Sequence, residues 1–210
     1  MMKWQERTYL TIVLLFFISL VITLTINAVP LYKFDISFLN ILDQVDLSEK
    51  DLLRNYRALL GYLNIPWNTT LSLPDFPVSA SGALHFYEVK RLFLLNYAVL
   101  LLSFFPAIWF MHYSWKRNEW WRFTRFCQLA GIVPVVLAFF MFVGFDTFFV
   151  LFHQLFFNND AWLFDPVTDP IITVLPEMFF MHSFVLAIIL FELFVGIAYV
   201  QGKRQWRVIN

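Results

Sequence analysis

The chain has 210 residues, of which 60% are hydrophobic, 20% aromatic and 14% charged. Soluble domains are about 45–50% apolar and about 25% charged, so this much apolar surface calls for lipid as its solvent. The formal net charge of zero leaves no basic excess for nucleic acid. The lone Cys127 excludes an intramolecular disulfide framework, a CxxC redox pair and a cysteine-rich metal site.

A membrane helix needs about 20 largely apolar residues. The first candidate, "TYLTIVLLFFISLVITLTINAV", covers 8–29. Its apolar part outruns a signal-peptide core, and "NAVPLY" is a poor cleavage site, so an uncleaved anchor is expected. In the following segment, 31–91, "DLSEKDLLRNYRALLGYL" places Ser48 three residues before Asp51, as in a capping box. Leu52, Leu53, Tyr56, Leu59, Leu60 and Leu63 then recur at helical spacing. An amphipathic helix with one face to cover is expected, followed by the proline-punctuated crossing "NIPWNTTLSLPDFPVSASG". Together they predict a small outer cap on a four-helix bundle.

Ser81 is the expected N-cap of a helix that carries His85 in its first turns and runs into the second span, 92–113. Pro106 marks a candidate kink in that span. Glu88 stands three residues after His85, a spacing that brings two side chains together on a helix face. Lys90 and Arg91 are expected to face lipid headgroups. The third span runs over 127–152 with Pro134 inside it, a second outer loop over 153–177, and the fourth span over 178–199.

Orientation follows from basic residues near span ends. Lys3 and Arg7 precede span one; Lys116, Arg117, Arg122 and Arg125 lie between spans two and three; Lys203, Arg204 and Arg207 follow span four. Most acids, from Asp35 to Asp75 and from Asp160 to Asp169, lie in the other connections. The expected fold is therefore an all-α membrane domain of four transmembrane helices, with both termini cytoplasmic and an extracytoplasmic cap.

This topology gathers His85, His153 and His182 at the outer interface. Asp146 and His153 are seven residues apart, so they share a helix face roughly 10 Å apart. Ionisable groups at membrane depth are rare and commonly functional. Asp146 could steady a neighbouring helix or orient a histidine. Imidazole titrates near neutrality and is the usual general acid–base group. No GxSxG elbow accompanies these histidines, and Cys127 lies on the opposite side, so nothing supports an acyl-enzyme. No HExxH-like spacing supports a metal. Two other classes remain open from the residues alone: a b-type haem-binding electron carrier using paired histidines, and a non-catalytic scaffold whose cap binds a partner.

The segment "FDTFFVLFHQLFFNNDAWLFDPVTDPIITVLPEMFF", 145–180, together with "LHFYEVKRLF" upstream, resembles the signature motifs of the bacterial lipoprotein intramolecular transacylases. Glu88 stands where an aspartate would be expected in that family. The resemblance implies an acyltransferase of the bacterial cell membrane, without cofactor or metal, acting on a diacylglyceryl lipoprotein among membrane lipids. The reaction implied moves the sn-2 acyl chain to the α-amine of the lipoprotein's own N-terminal cysteine, leaving a lyso form. It also implies His85 and His153 as the catalytic pair, working by general acid–base chemistry. Asp146, Glu88 and His182 are supporting candidates. Phe148, Phe149, Phe152, Phe156, Phe157 and Trp162 are candidates for the wall of a lipid pocket.

Overall fold

The computed structural model describes residues 4–209, so Lys3, which enters the orientation argument, lies outside the described residues. Among them the fold is all helical: α1 Trp4–Ile26, α2 Val29–Phe38, α3 Glu49–Asn64, α4 Ala80–Lys116, α5 Thr124–Val143, α6 Phe145–Phe156 and α7 Glu177–Ile209, joined in places by short 3-10 turns. Four segments are long and apolar enough to cross a bilayer: Glu6–Ile26, Ala80–Lys116, Trp120–Val143 and Glu177–Val208. Their apolar windows are only 6–28% buried within the protein. An apolar surface left so bare is tolerable only against acyl chains.

The chain divides into two compact units. One comprises the chain up to Thr25, Asn96–Val143 and the chain from Val185 onward. Its helices meet through rings and a few polar bonds. Tyr9 stacks on Phe110 at 4.7 Å between centroids, the Trp120 indole N–H donates to the Ala198 carbonyl at 2.8 Å, and Asn96 donates to the Thr23 hydroxyl at 2.8 Å. Where hydrocarbon offers no competing partner, such bonds hold helices together.

The other unit comprises Ile26–Leu95 and Gly144–Phe184. It has a true core. Helix α3 is capped as its sequence predicts: the Asp51 N–H donates to the Ser48 hydroxyl oxygen at 3.2 Å. Its apolar face, Leu52, Leu53, Tyr56, Leu59, Leu60 and Leu63, is buried with Tyr32 and Ile36 of α2 and with Ile171, Val174 and Phe179. Full burial of one such side chain contributes about 1.5–3 kcal/mol, so packing rather than helix propensity holds α3. Tyr32 is fully buried, stacks on Tyr56 at 4.0 Å and donates to the Val174 carbonyl at 2.9 Å. The proline-punctuated crossing is tied down at Asp75, whose carboxylate accepts from Arg54 at 2.8 Å and from Asn55 at 2.6 Å.

Three local expectations change. Helix α4 starts two residues before Ser81 would allow, because Ser79 caps it: the Gly82 N–H donates to the Ser79 hydroxyl oxygen at 2.9 Å. The run 127–152 is two helices rather than one. Gly144, at φ −168° and ψ 84°, ends α5 and starts α6. Glycine is a weak helix former, and hydrophobicity alone does not register the break. Lys90 does not face headgroups. It is buried, donates to the carbonyls of Ile65 and Asn68, and lies over the Tyr62 ring. The loop carbonyls and the ring provide the polar surroundings that a desolvated ammonium requires.

Candidate active site

Two helices of the second unit bring the histidines together. His85, on the second turn of α4, and His153, near the end of α6, are 6% and 8% exposed. Their ring centroids are 5.8 Å apart and their planes differ by 36°. His153 Nδ1 lies 2.7 Å from the Phe149 carbonyl oxygen. A carbonyl only accepts, so Nδ1 carries the hydrogen, and the neutral ring leaves its lone pair on Nε2. Burial pushes the His153 pKa below the ordinary imidazole value, and the bond to the Phe149 carbonyl opposes that shift. A histidine disposed this way is a proton acceptor at neutral pH. His85 differs: its Nδ1 is buried and has no hydrogen-bond partner.

The chain leaving α6 folds over this pair. Phe157 packs on both imidazoles, 4.7 Å from His85 and 5.7 Å from His153. Trp162 stacks on His153 at 4.7 Å, and Phe164 meets the His85 ring at 5.5 Å. On α6 itself Phe149 and Phe152 lie 4.2 and 5.7 Å from the His153 ring. Four of the six candidate wall residues therefore contact an imidazole. The other two do so nowhere among the described residues: Phe148 packs with Phe145, Phe152 and Phe184, and Phe156 with Phe152.

Two polar ties hold the loop to α4. Asn159 donates from Nδ2 to Glu88 Oε1 at 2.8 Å, while its own Oδ1 accepts from the Ala161 N–H at 2.9 Å. Glu88 thus contacts the loop, whereas His85 Nδ1, one helical turn away, stays unpartnered. Further along, the buried Asp169 carboxylate accepts from the Ser79 N–H at 2.8 Å and the Thr168 hydroxyl at 3.0 Å. Gly82 lets this happen, since a Cβ there would run into Asp169 Oδ1 and meet the Phe164 ring at 3.0 Å.

The remaining candidates have other partners. His182 Nδ1 pairs at 2.7 Å with Oδ1 of Asp35, a carboxylate with no exposed side-chain surface. Helix α7 turns Phe180 towards Phe149 of α6 and His182 towards Asp35 of α2. Asp146 sits in the first turn of α6, is exposed, and is within hydrogen-bonding reach of the Glu177 carboxyl. Among the described residues no group of three or more His, Cys, Asp or Glu side chains is arranged to hold a metal. Sequence reasoning passed over Phe164, Asn159, Asp169 and Gly82. Their contacts depend on how an irregular loop folds back, which residue spacing does not encode.

The Gly82 contact yields a direct expectation. Gly82→Ala pushes the Asp169 carboxylate and Phe164 away from α4 and so displaces the wall beside His85. A misplacement of about 1 Å can lower a rate roughly a hundredfold. Turnover should therefore fall roughly ten- to a hundredfold while the melting temperature, read in detergent, moves only slightly. Wild-type turnover in Gly82→Ala would show that the contact does not position the site.

The family model for lipoprotein intramolecular transacylase Lit matches residues 8–180. A search of curated proteins gives no match. Among solved structures, the in meso structure of the membrane-integral lipoprotein intramolecular transacylase Lit from Bacillus cereus is similar at a TM-score of 0.88 and 31% identity, covering 97% of this chain and 96% of that one. Structures of the same Bacillus cereus protein with an H85R or an H85A mutation match at a TM-score of 0.81 and 29% identity. Each covers 97% of this chain, and 92% and 94% of those chains respectively. With most of its length matching the family model and its fold shared nearly end to end, this chain belongs to the Lit family and is a membrane-integral lipoprotein intramolecular transacylase.

Proposed function

We propose that His85 and His153 carry out the transfer of the sn-2 acyl chain of a diacylglyceryl lipoprotein to the α-amine of its own N-terminal cysteine, without an acyl-enzyme. The observation that supports this most directly is the isolated imidazole pair, 5.8 Å between centroids inside an aromatic enclosure. His153 Nε2 takes a proton from the α-amine, since its Nδ1 is already committed to the Phe149 carbonyl. The amine attacks the ester carbonyl carbon, the carbon–oxygen bond to glycerol breaks, and the departing oxygen receives a proton. His85 polarises the carbonyl and passes that proton. Nucleophile and ester belong to one molecule, so attack closes a ring of about eight atoms and the enzyme's main task is orientation, worth about 7–11 kcal/mol when complete. Phe157, Trp162 and Phe164 hold the folded lipid against the two rings.

The membrane placement belongs to the same proposal. Basic residues at 116–125 and 203–207 put those ends at the cytoplasm, and the His85–His153 unit faces the extracytoplasmic side of a bacterial membrane, where lipoproteins are displayed. A periplasm-active reporter joined at the C-terminus should stay silent, and a cytoplasm-active one should work. The reverse result would invert the topology.

His85→Ala and His153→Ala should each lower conversion of a diacyl lipopeptide at least about a hundredfold, the usual weight of a general acid or base. Acyl migration leaves the precursor mass unchanged, so tandem mass spectrometry must read whether the chain sits on nitrogen or on glycerol. Undiminished conversion in both variants would sink the mechanism.

The His153 environment also fixes a pH response. Its folded-state pKa is lowered by burial, so the active neutral form persists as pH drops past the ordinary value of about 6.5 and is lost only on further acidification. The acid limb of kcat/KM, measured with the same lipopeptide, should lie below pH ~6.5. Stability linked to this group runs the same way: it is present above the unfolded pKa and lost as pH falls towards the folded one. A limb centred clearly above neutrality would contradict the assignment of His153 as base.

A further inference from the structure

Glu88 holds an unmet electrostatic demand. One oxygen accepts from Asn159; the other, Oε2, is buried and has no partner. No ion pair reaches this carboxylate among the described residues. The nearest cation in sequence, Lys90, is occupied by the Ile65 and Asn68 carbonyls and the Tyr62 ring, and Arg91 is exposed. A carboxylate oxygen cut off from water without a donor is costly to the fold. Asn159 holds it there, because the Ala161 N–H fixes the orientation of the amide that Glu88 accepts from.

The second orphan lies one helical turn away. His85 Nδ1 is also buried and unpartnered, and residues three apart on a helix share a face. The chain that seats Asn159 on Glu88 also packs Phe157 and Phe164 on His85. A compact cationic donor would satisfy Oε2 beside His85, whose ring lies 5.8 Å from that of His153.

We propose that Glu88 Oε2 is the docking point for the α-ammonium of the substrate's N-terminal cysteine, and that it makes a free, charged amine a condition of productive binding. The inference rests on the acyl-transfer function above and names the substrate group that the site selects. The α-amine has a pKa near 7.7–8.0, so at neutral pH it arrives mostly as an ammonium, and a charge-assisted N–H to carboxylate bond is the strong kind. Docked there, it gives one proton to His153 Nε2. The resulting amine forms its bond to the ester carbonyl carbon, the carbon–oxygen bond to glycerol breaks, and the glyceryl oxygen takes a proton. The new amide loses its second N–H proton, so one proton leaves overall. The amide nitrogen is uncharged and no longer suits Glu88, which favours release of the product.

The test compares two ligands on the full-length protein in detergent: a diacylglyceryl lipopeptide with a free N-terminal amine, and its des-amino analogue, identical except that the amine is replaced by hydrogen. Wild type should bind the amine form at least tenfold more tightly at pH 7; equal affinities overturn the proposal. Glu88→Gln keeps the shape and an acceptor for Asn159 but removes the charge. It should raise KM for the lipopeptide at least tenfold, change kcat less than threefold, and leave the inhibition constant of the des-amino analogue within twofold. Asn159→Ala, which loosens the loop but keeps the carboxylate, should shift both ligands together and preserve their ratio. If Glu88→Gln shifts both ligands equally, or Asn159→Ala abolishes the preference, Glu88 is a loop tether and the proposal fails. If wild type binds the amine form preferentially yet never moves the acyl chain, the ammonium site stands and the acyl-transfer function fails.

Discussion

The close approach of Gly82 to the Asp169 carboxylate is the contact on which the site depends. Helix α4 carries His85 and Glu88, while the chain after α6 carries Phe157, Asn159, Trp162 and Phe164. These two segments come from distant parts of the sequence and share no regular secondary structure. A helix start offers unsatisfied N–H groups and a positive dipole end, and Asp169 answers both by accepting from the Ser79 N–H. The missing side chain at Gly82 lets the carboxylate come close enough for Phe164 to reach the His85 ring. Without that approach the loop would have only Asn159 as a polar tie to α4.

Much of this fold is visible in the sequence, for a physical reason. A bilayer demands long apolar helices, so the four spans announce themselves by length and composition, and the α3 face by its 3.6-residue period. The break at Gly144 escaped because phenylalanines continue on both sides of it and lipid exposure removes the polar face that would mark a boundary. Asp146 looked like a charge lodged within a span. It stands instead in the first turn of a new helix, a position that favours carboxylates.

The site was half legible. The topology offered three outer histidines, the family resemblance singled out His85 and His153 among them, and the structure sets those two side by side. Asn159, Asp169 and Gly82 looked like ordinary loop and helix-start residues, since a latch is defined by what it touches. His182 shows the opposite error. An outer-interface position suggested a third member of the cluster, yet the 3.6-residue period turns it to the face of α7 opposite Phe180. There Asp35, fully buried and with Oδ2 still unpartnered, holds it.

The arrangement also indicates how catalytic effort is divided in the proposed reaction. Proton transfer by a placed imidazole contributes about 10²–10⁴-fold, or roughly 3–5 kcal/mol. Bringing two ends of a flexible lipid into a ring of about eight atoms can contribute about 7–11 kcal/mol, so positioning outweighs the acid–base step. On the proposed mechanism two imidazoles would serve the protons, and a larger set of rings and latches the shape. A covalent intermediate would relieve none of the positioning burden, because the nucleophile is already tethered to the acyl group it receives. What the site needs is a way to hold each end of that tether, with rings for the acyl chain and a carboxylate for the amine. The unpartnered oxygen of Glu88 is where the second of those holds would act.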